Sequence, residues 1–309
     1  MWLFLSATLI KTSMSVRVES AICVGLDPRL EKIPSFIKEK ALKKHKNQFK
    51  AGAESIFEFN KGIIDAVFDI IPVVKLQIAF YELLGEEGIK AFRKTVDYAH
   101  SKDLLVIADV KRNDIGSTAE AYAKAYLGEI DLFGKKQTVF NADAVTITPY
   151  LGWDGIKPFI TECKKNGKGI FILVKTSNPS SGDIQDLNTK DDCSVYNIIA
   201  NYVESWGACD IGESGYSFVG AVVGGTYPEQ AVELRKIMPN SYFLVPGYGA
   251  QGGTADDAKK SFDKNGLGAI VNSSRGIIFA YEKSNKYNMK SYDKAARDAV
   301  VKMNAELTN

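Results

Sequence analysis

Histidine is nearly absent from these 309 residues: His45 and His100 are the only two. That scarcity argues against a histidine-based triad and against a metal held by several imidazoles. Cysteine is sparse as well. Cys23, Cys163, Cys193 and Cys209 fall at unrelated spacings with no CxxC pair, which suggests neither a zinc site nor a disulfide framework and fits a reducing cytoplasm. An excess of one charge sign is also missing, since 39 Lys and Arg face 37 Asp and Glu for a net +2. No global field then favours nucleic acid or an anionic membrane, and any anion must be held by local groups. No apolar run is long enough to span a bilayer. The opening MWLFLSATLI is apolar but short, and no Lys or Arg precedes it to make a signal-peptide n-region. Met14 opens MSVRVES, so residues 1–13 read as an N-terminal extension of unclear role and 14–309 as one domain. Proline is limited to 9 residues, and no Pro, Gly or Ser linker interrupts the chain.

What is present is a regular alternation. Eight aliphatic stretches of strand length recur, at 21–27, 73–79, 104–111, 144–150, 169–177, 217–226, 242–249 and 268–274. Their near-continuous apolar character is that of parallel strands covered on both faces. Amphipathic segments lie between them. In 54–70, Ile56, Phe59, Ile63, Val67 and Ile70 keep one helical face apolar, and similar patterns run through 82–102, 155–166, 188–208, 228–238 and 254–264. Eight such units predict an α/β fold, a (β/α)8 TIM barrel, with a doubly wound open sheet as the alternative. The extra length at 36–53, 128–138, 178–196 and beyond 282 reads as surface insertions.

The strand ends carry charge. Asp27 closes the first strand, Lys75 interrupts the second, Asp109 and Lys111 end the third, Ser177 ends the fifth and Arg275 follows the eighth. In such a barrel the C-terminal strand ends form the active site, and a lone buried Lys or Asp is costly unless it is paired or meets a charged ligand. Strand alternation puts Asp109 and Lys111 on one face, about 6 to 7 Å apart. A structural ion pair closing the barrel mouth explains the same spacing. Asp114 reads locally as a turn residue before Gly116, and STAE at 117–120 predicts a capping box in which Ser117 starts the next helix and Glu120 returns the bond.

PGYGAQGG at 246–253 and NSSRG at 272–276 follow the seventh and eighth strands, where these barrels commonly hold a phosphate on backbone N–H groups. Arg275 would add a cation and Gln251 an amide donor. Gly247, Gly249 and Gly252 also satisfy GxGxxG, but the acidic residue that a dinucleotide site wants about 20 positions on is replaced by Asn272, Ser273 and Ser274.

DVKRNDIGSTA, with VGLDPR, VVKLQIAFYE, VKTSNP, VPGYGAQGG and SSRGI in that order, resembles the orotidine 5'-phosphate decarboxylases, in a longer-chain subgroup, over residues 20–282. The resemblance implies decarboxylation of orotidine 5'-phosphate to UMP without metal or other cofactor. It implies a cytoplasmic homodimer with no nucleic-acid or membrane partner. Lys75, Asp109, Lys111 and Asp114 would be the catalytic array, with Asp114 reaching the partner's site accompanied by Ile115 at the pyrimidine and Thr118 at the ribose. Asp27 would bind ribose hydroxyls, Ser177 the pyrimidine edge, Pro246 the apolar wall, and Gln251 with Arg275 the phosphate. Ser274 stands where many relatives have Gly. Two other readings remain: a Mg-dependent sugar-phosphate decarboxylase or aldol-type synthase of the same barrel group, and a catalytically silent nucleotide-phosphate binding protein.

Overall fold

A computed structural model describes residues 20–249 and 251–308; the extension expected at 1–13 lies outside them. Eight strands form the main sheet: β1 Ile22–Leu26, β2 Val73–Gln77, β3 Leu105–Arg112, β4 Ala144–Ile147, β5 Gly169–Lys175, β6 Ser217–Val223, β7 Ser241–Pro246 and β8 Ala269–Ser273. They join in the order β1-β8-β7-β6-β5-β4-β3-β2 as a closed barrel, and the pairings with a resolved register are parallel. Closure rules out the open doubly wound sheet. Each strand coincides with one of the eight apolar stretches, because a strand walled by helices outside and filled inside must be apolar at nearly every position. β1 and β4 are buried throughout.

By internal contact the described residues divide into two compact units, 20–110 with 273–308 and 111–249 with 251–272. The first holds α1 Ser35–Lys44, α2 Gln48–Val67, α3 Gly85–His100 and the last helix of the chain, Tyr292–Thr308. The Asn47 side chain accepts from Lys50 N–H and starts α2, six residues earlier than the periodicity predicts. The segments read as insertions at 36–53 and after 282 are therefore largely helix. The last helix lies against α2: Tyr292 stacks on Phe59 with centroids 5.0 Å apart, and Arg297 grips Asp69 through two bonds of 2.6 and 2.8 Å. Its buried face of Tyr292, Ala295, Ala296, Val300 and Met303 makes it part of the helical layer of this unit.

The second unit holds α4 Gly116–Leu127, α5 Trp153–Asn166, α6 Val195–Gly207 and α7 Pro228–Ile237. Residues 128–138 supply a small antiparallel hairpin, Glu129–Leu132 with Lys135–Thr138. Of the helix expected at 254–264 only the turn Ala255–Lys259 forms, capped by the Thr254–Asp257 box. Arg235 staples this unit together. It donates to the carbonyls of Met238, Ser241, Ser261 and Gly268 and lies 3.6 Å over the Phe243 ring.

Candidate active site

In the first unit three of the charges expected at strand ends, Asp27, Lys75 and Asp109, lie together. Lys75 is 4% and Asp109 6% exposed, and Lys75 Nζ donates to Asp109 Oδ2 at 2.8 Å while Asp27 Oδ1 stands 3.7 Å away. The register explains the meeting, because Gln77 pairs with Asp109 and Gly25 with Lys75. Gln77 Nε2 also donates to Asp109 Oδ2, at 3.0 Å, fixing the carboxylate from a second side. Burial by itself would drive the Lys75 ammonium towards neutrality, but the attraction of Asp109 and Asp27 outweighs it and holds its pKa above the usual lysine value. The neighbouring Cys23 thiol is pushed up to about 12, chiefly by burial, with Lys75 opposing. Asp27 Oδ1 is buried and accepts no hydrogen bond, so it retains capacity for a hydroxyl donor. Arg275, also in this unit, opens the short helix Arg275–Ile278, exposed and with no ion pair among the described residues.

In the second unit Lys111 departs from regular strand geometry. Its φ is +44°, the left-handed region that disfavours a residue with a Cβ by roughly 1–2 kcal/mol. The backbone is held there by Thr146 on β4, 1% exposed, whose Oγ1 accepts the Lys111 N–H at 3.0 Å. Lys111 thus breaks regular strand geometry near the end of β3, and it is exposed. Arg112, for which the sequence suggests no role, donates to Tyr126 Oη at 3.0 Å and lies over the rings of Tyr122 and Tyr126.

Asp114 is half-buried, and its Oδ1 accepts from Ile115 N–H at 2.9 Å, the local role expected of an Asp in a turn. The capping box predicted from STAE does not form. α4 already begins at Gly116, its cap position is Ile115, and no side chain caps it; Ser117 therefore sits inside the first turn, past the position from which it could cap. Ile115 is 51% exposed and Thr118 is exposed as well.

Three further expected residues gather around one glycine. Pro246 ends β7, and Gly247 follows with φ +108°. A Cβ at Gly247 would stand 3.2 Å from Ser177 Cβ and 3.5 Å from Gln251 Oε1, so Ser177 and Gln251 converge on a place that only glycine leaves open. The loop's own backbone is partly committed. The N–H groups of Gly249, Gly252 and Gly253 donate to carbonyls within the loop, which leaves fewer backbone donors there than the glycine count suggests. Two buried charges, Glu162 and Lys175, carry no sequence expectation. Lys175, last residue of β5, is fully buried against Asp186, and its signal was a lone lysine closing the apolar run GIFILV.

Among the described residues no group of three or more His, Cys, Asp or Glu is arranged to hold a metal, and no helix is long and apolar enough to cross a membrane. A closed parallel barrel with a buried Lys/Asp cluster on consecutive strands has the make-up of a barrel enzyme. The family model for the orotidine 5'-phosphate decarboxylase / HUMPS family matches residues 20–289. The orotidine 5'-phosphate decarboxylase of Caldicellulosiruptor bescii is 48% identical over 263 residues, 85% of this chain and 86% of that protein. That of Rhodopirellula baltica is 45% identical over 295 residues, covering 94% and 95%. The solved OMP decarboxylase of Leishmania donovani superposes with a TM-score of 0.70 at 28% identity, covering 97% of this chain and 98% of that one. This chain belongs to the orotidine 5'-phosphate decarboxylase / HUMPS family, and it is a lyase.

Proposed function

We propose that this chain removes CO2 from orotidine 5'-phosphate to give UMP, the last step of de novo UMP synthesis, with Lys111 as proton donor. The single observation that carries the reading is the buried Lys75–Asp109 pair, 2.8 Å long, two residues before Lys111 in a chain 48% identical to a decarboxylase of that name. Breaking the bond between C6 and the carboxylate leaves an electron pair in a vinylic orbital, outside any conjugated π system. Fixed positive charge must stabilise it, and the Lys111 ammonium supplies that charge and then gives its proton to C6. Solvent returns the proton to Lys111.

Asp109, held by Lys75 and Gln77, keeps a negative charge where the substrate carboxylate leaves. Asp27 takes the ribose hydroxyls with its unused Oδ1. Ser177 reads the pyrimidine edge, Pro246 forms an apolar wall, and Gln251 and Arg275 bind the phosphate, whose remote binding energy organises the reacting centre. Asp114, Ile115 and Thr118 serve the other subunit of a homodimer, Asp114 completing the Lys/Asp array there. The exposure of Ile115, and of Tyr150, Leu151 and Trp153 beyond β4, supports that assembly, since a second copy would cover them. Residues 14–309 act as one catalytic domain. The four cysteines are unpaired, which supports a reducing, cytoplasmic setting.

The test is an assay of the full chain in excess EDTA, following the loss of orotidine 5'-phosphate absorbance. Turnover is expected to persist. Activity that appears only on adding Mg²⁺ would replace this reading with the metal-dependent synthase chemistry of the same barrel group.

A further inference from the structure

Lys175 is 0% exposed, and nothing in the proposed reaction uses it. Its Nζ lies 2.5 Å from Asp186 Oδ1 and over two rings, 4.6 Å from the centre of Tyr227 and 5.6 Å from that of Tyr196. Stability does not explain this arrangement. A methionine or isoleucine would complete the strand GIFILV, and replacing a buried ion pair by apolar side chains is often neutral or stabilising. What the pair supplies is geometry, because Asp186 does not belong to the core: its side chain is 41% exposed, and it is drawn in from the segment that follows the strand.

The closure at Lys175 and Asp186 encloses a set of directed bonds around Ser177. Gln185 accepts from Thr176 N–H at 2.9 Å and donates to Thr176 Oγ1 at 2.8 Å. Thr176 Oγ1 in turn donates to Asn178 Oδ1 at 2.6 Å. Thr226 Oγ1 donates to the Ser177 carbonyl, and Tyr227 Oη, on the ring that covers the ammonium, donates to the Asn178 carbonyl, each at 3.3 Å. Behind Ser177 stands Gly224, where an added Cβ would fall 2.9 Å from Ser177 N and Cα. Ser177 is thereby fixed before it, behind it and at its carbonyl, with the ion pair as the one charged tie.

We infer that Lys175 and Asp186 form a latch that positions Ser177, and through it sets the enzyme's recognition of the pyrimidine. The inference rests on the role proposed above for Ser177. Lys175 is a positioning residue and touches no substrate. Affinities of the full-length protein for UMP and for ribose 5-phosphate, which lacks the base, separate positioning from general damage. Asp186→Asn, at an exposed side chain, is expected to weaken UMP about tenfold while ribose 5-phosphate stays within about twofold. Lys175→Met gives the same split, and Asp186→Glu, which keeps the carboxylate, recovers most of the loss. Equal weakening of both ligands in Asp186→Asn, or no weakening of UMP, overturns the latch. Ser177→Ala distinguishes the two ideas. Loss of UMP preference there with none in Asp186→Asn removes the latch alone, whereas unchanged preference in Ser177→Ala removes the pyrimidine role of Ser177 and the latch's function with it.

Discussion

Lys75 and Lys111 lie on β2 and β3 and differ in burial and in backbone. Lys75 is enclosed, with its ammonium on Asp109 and near Asp27. Lys111 is exposed, and its backbone takes a left-handed φ that the Thr146 hydroxyl holds. The difference teaches that two lysines on neighbouring strands can be ordered by different means. Ion pairing with Asp109 fixes the side chain of Lys75, the buried half of this comparison. At Lys111 a constrained peptide sets how the chain leaves β3, and the role proposed for this residue is that of proton donor.

The strongest way to break this comparison is Lys111→Ala. Turnover should fall by about 10⁴-fold or more, while UMP affinity, measured by calorimetry, is kept. Mixing Lys111→Ala with Asp114→Ala protomers should restore part of the activity through hybrid dimers; no recovery despite proven subunit exchange would keep Asp114 out of the second site.

The buried half should answer in stability. Asp109→Ala leaves the Lys75 ammonium buried with its nearest partner gone, and urea unfolding should show a loss of about 3–5 kcal/mol. Lys111→Ala, at an exposed side chain, should change stability by no more than about 0.5 kcal/mol. Comparable losses would erase the distinction between enclosed and exposed lysine.

A smaller effect follows from pH. The Cys23 thiol is pushed up from 9.0 to about 12 and the Lys75 ammonium is held above 10.5. Both groups keep protons in the folded state that the unfolded chain releases. Their contribution to stability is therefore complete below pH 9, and it declines from about pH 9 upward, first through Cys23 and then through Lys75. Cys23→Ala should flatten the early part of that decline in melting temperatures measured from pH 7 to 11.

The smallest expected effect lies just beyond Lys111. Ser117→Ala should leave the melting temperature nearly unchanged, because Ser117 caps nothing. Ser194→Ala removes the bond to Asn197 N–H that starts α6 and should cost about 1 kcal/mol. Equal shifts would mean that Ser117 caps α4 after all.

The pair of serines marks where sequence reading succeeds and where it stops. Ser194, like Thr254, takes up a capping bond; Ser117, in an equally good pattern, does not, because the chain enters α4 two residues earlier than the box requires. Capping depends on the backbone angles at one residue, and those are settled by how Lys111 to Ile115 leave β3. Lys175 stands at the end of an apolar run, but its partner Asp186, eleven residues on in a segment without periodicity, leaves no local signal. The last helix reads as an insertion in the sequence because its contacts with α2 join residues far apart in the chain.

Closure into a barrel and the meeting of Asp27, Lys75 and Asp109 came with the tertiary structure. The amino-acid sequence by itself determined the eight strands, their parallel character, the placing of those three charges at strand ends, and the resemblance to the family. Those follow from which residues tolerate burial, a property each residue carries locally and repeats at the period of its element. Only the tertiary structure decided the left-handed turn at Lys111, the uncapped start of α4, the commitment of the glycine-loop N–H groups and the Lys175–Asp186 tie. Each of these depends on where a loop brings the chain after it leaves the sheet, and loop closure is an outcome of the whole fold, with no pattern of its own.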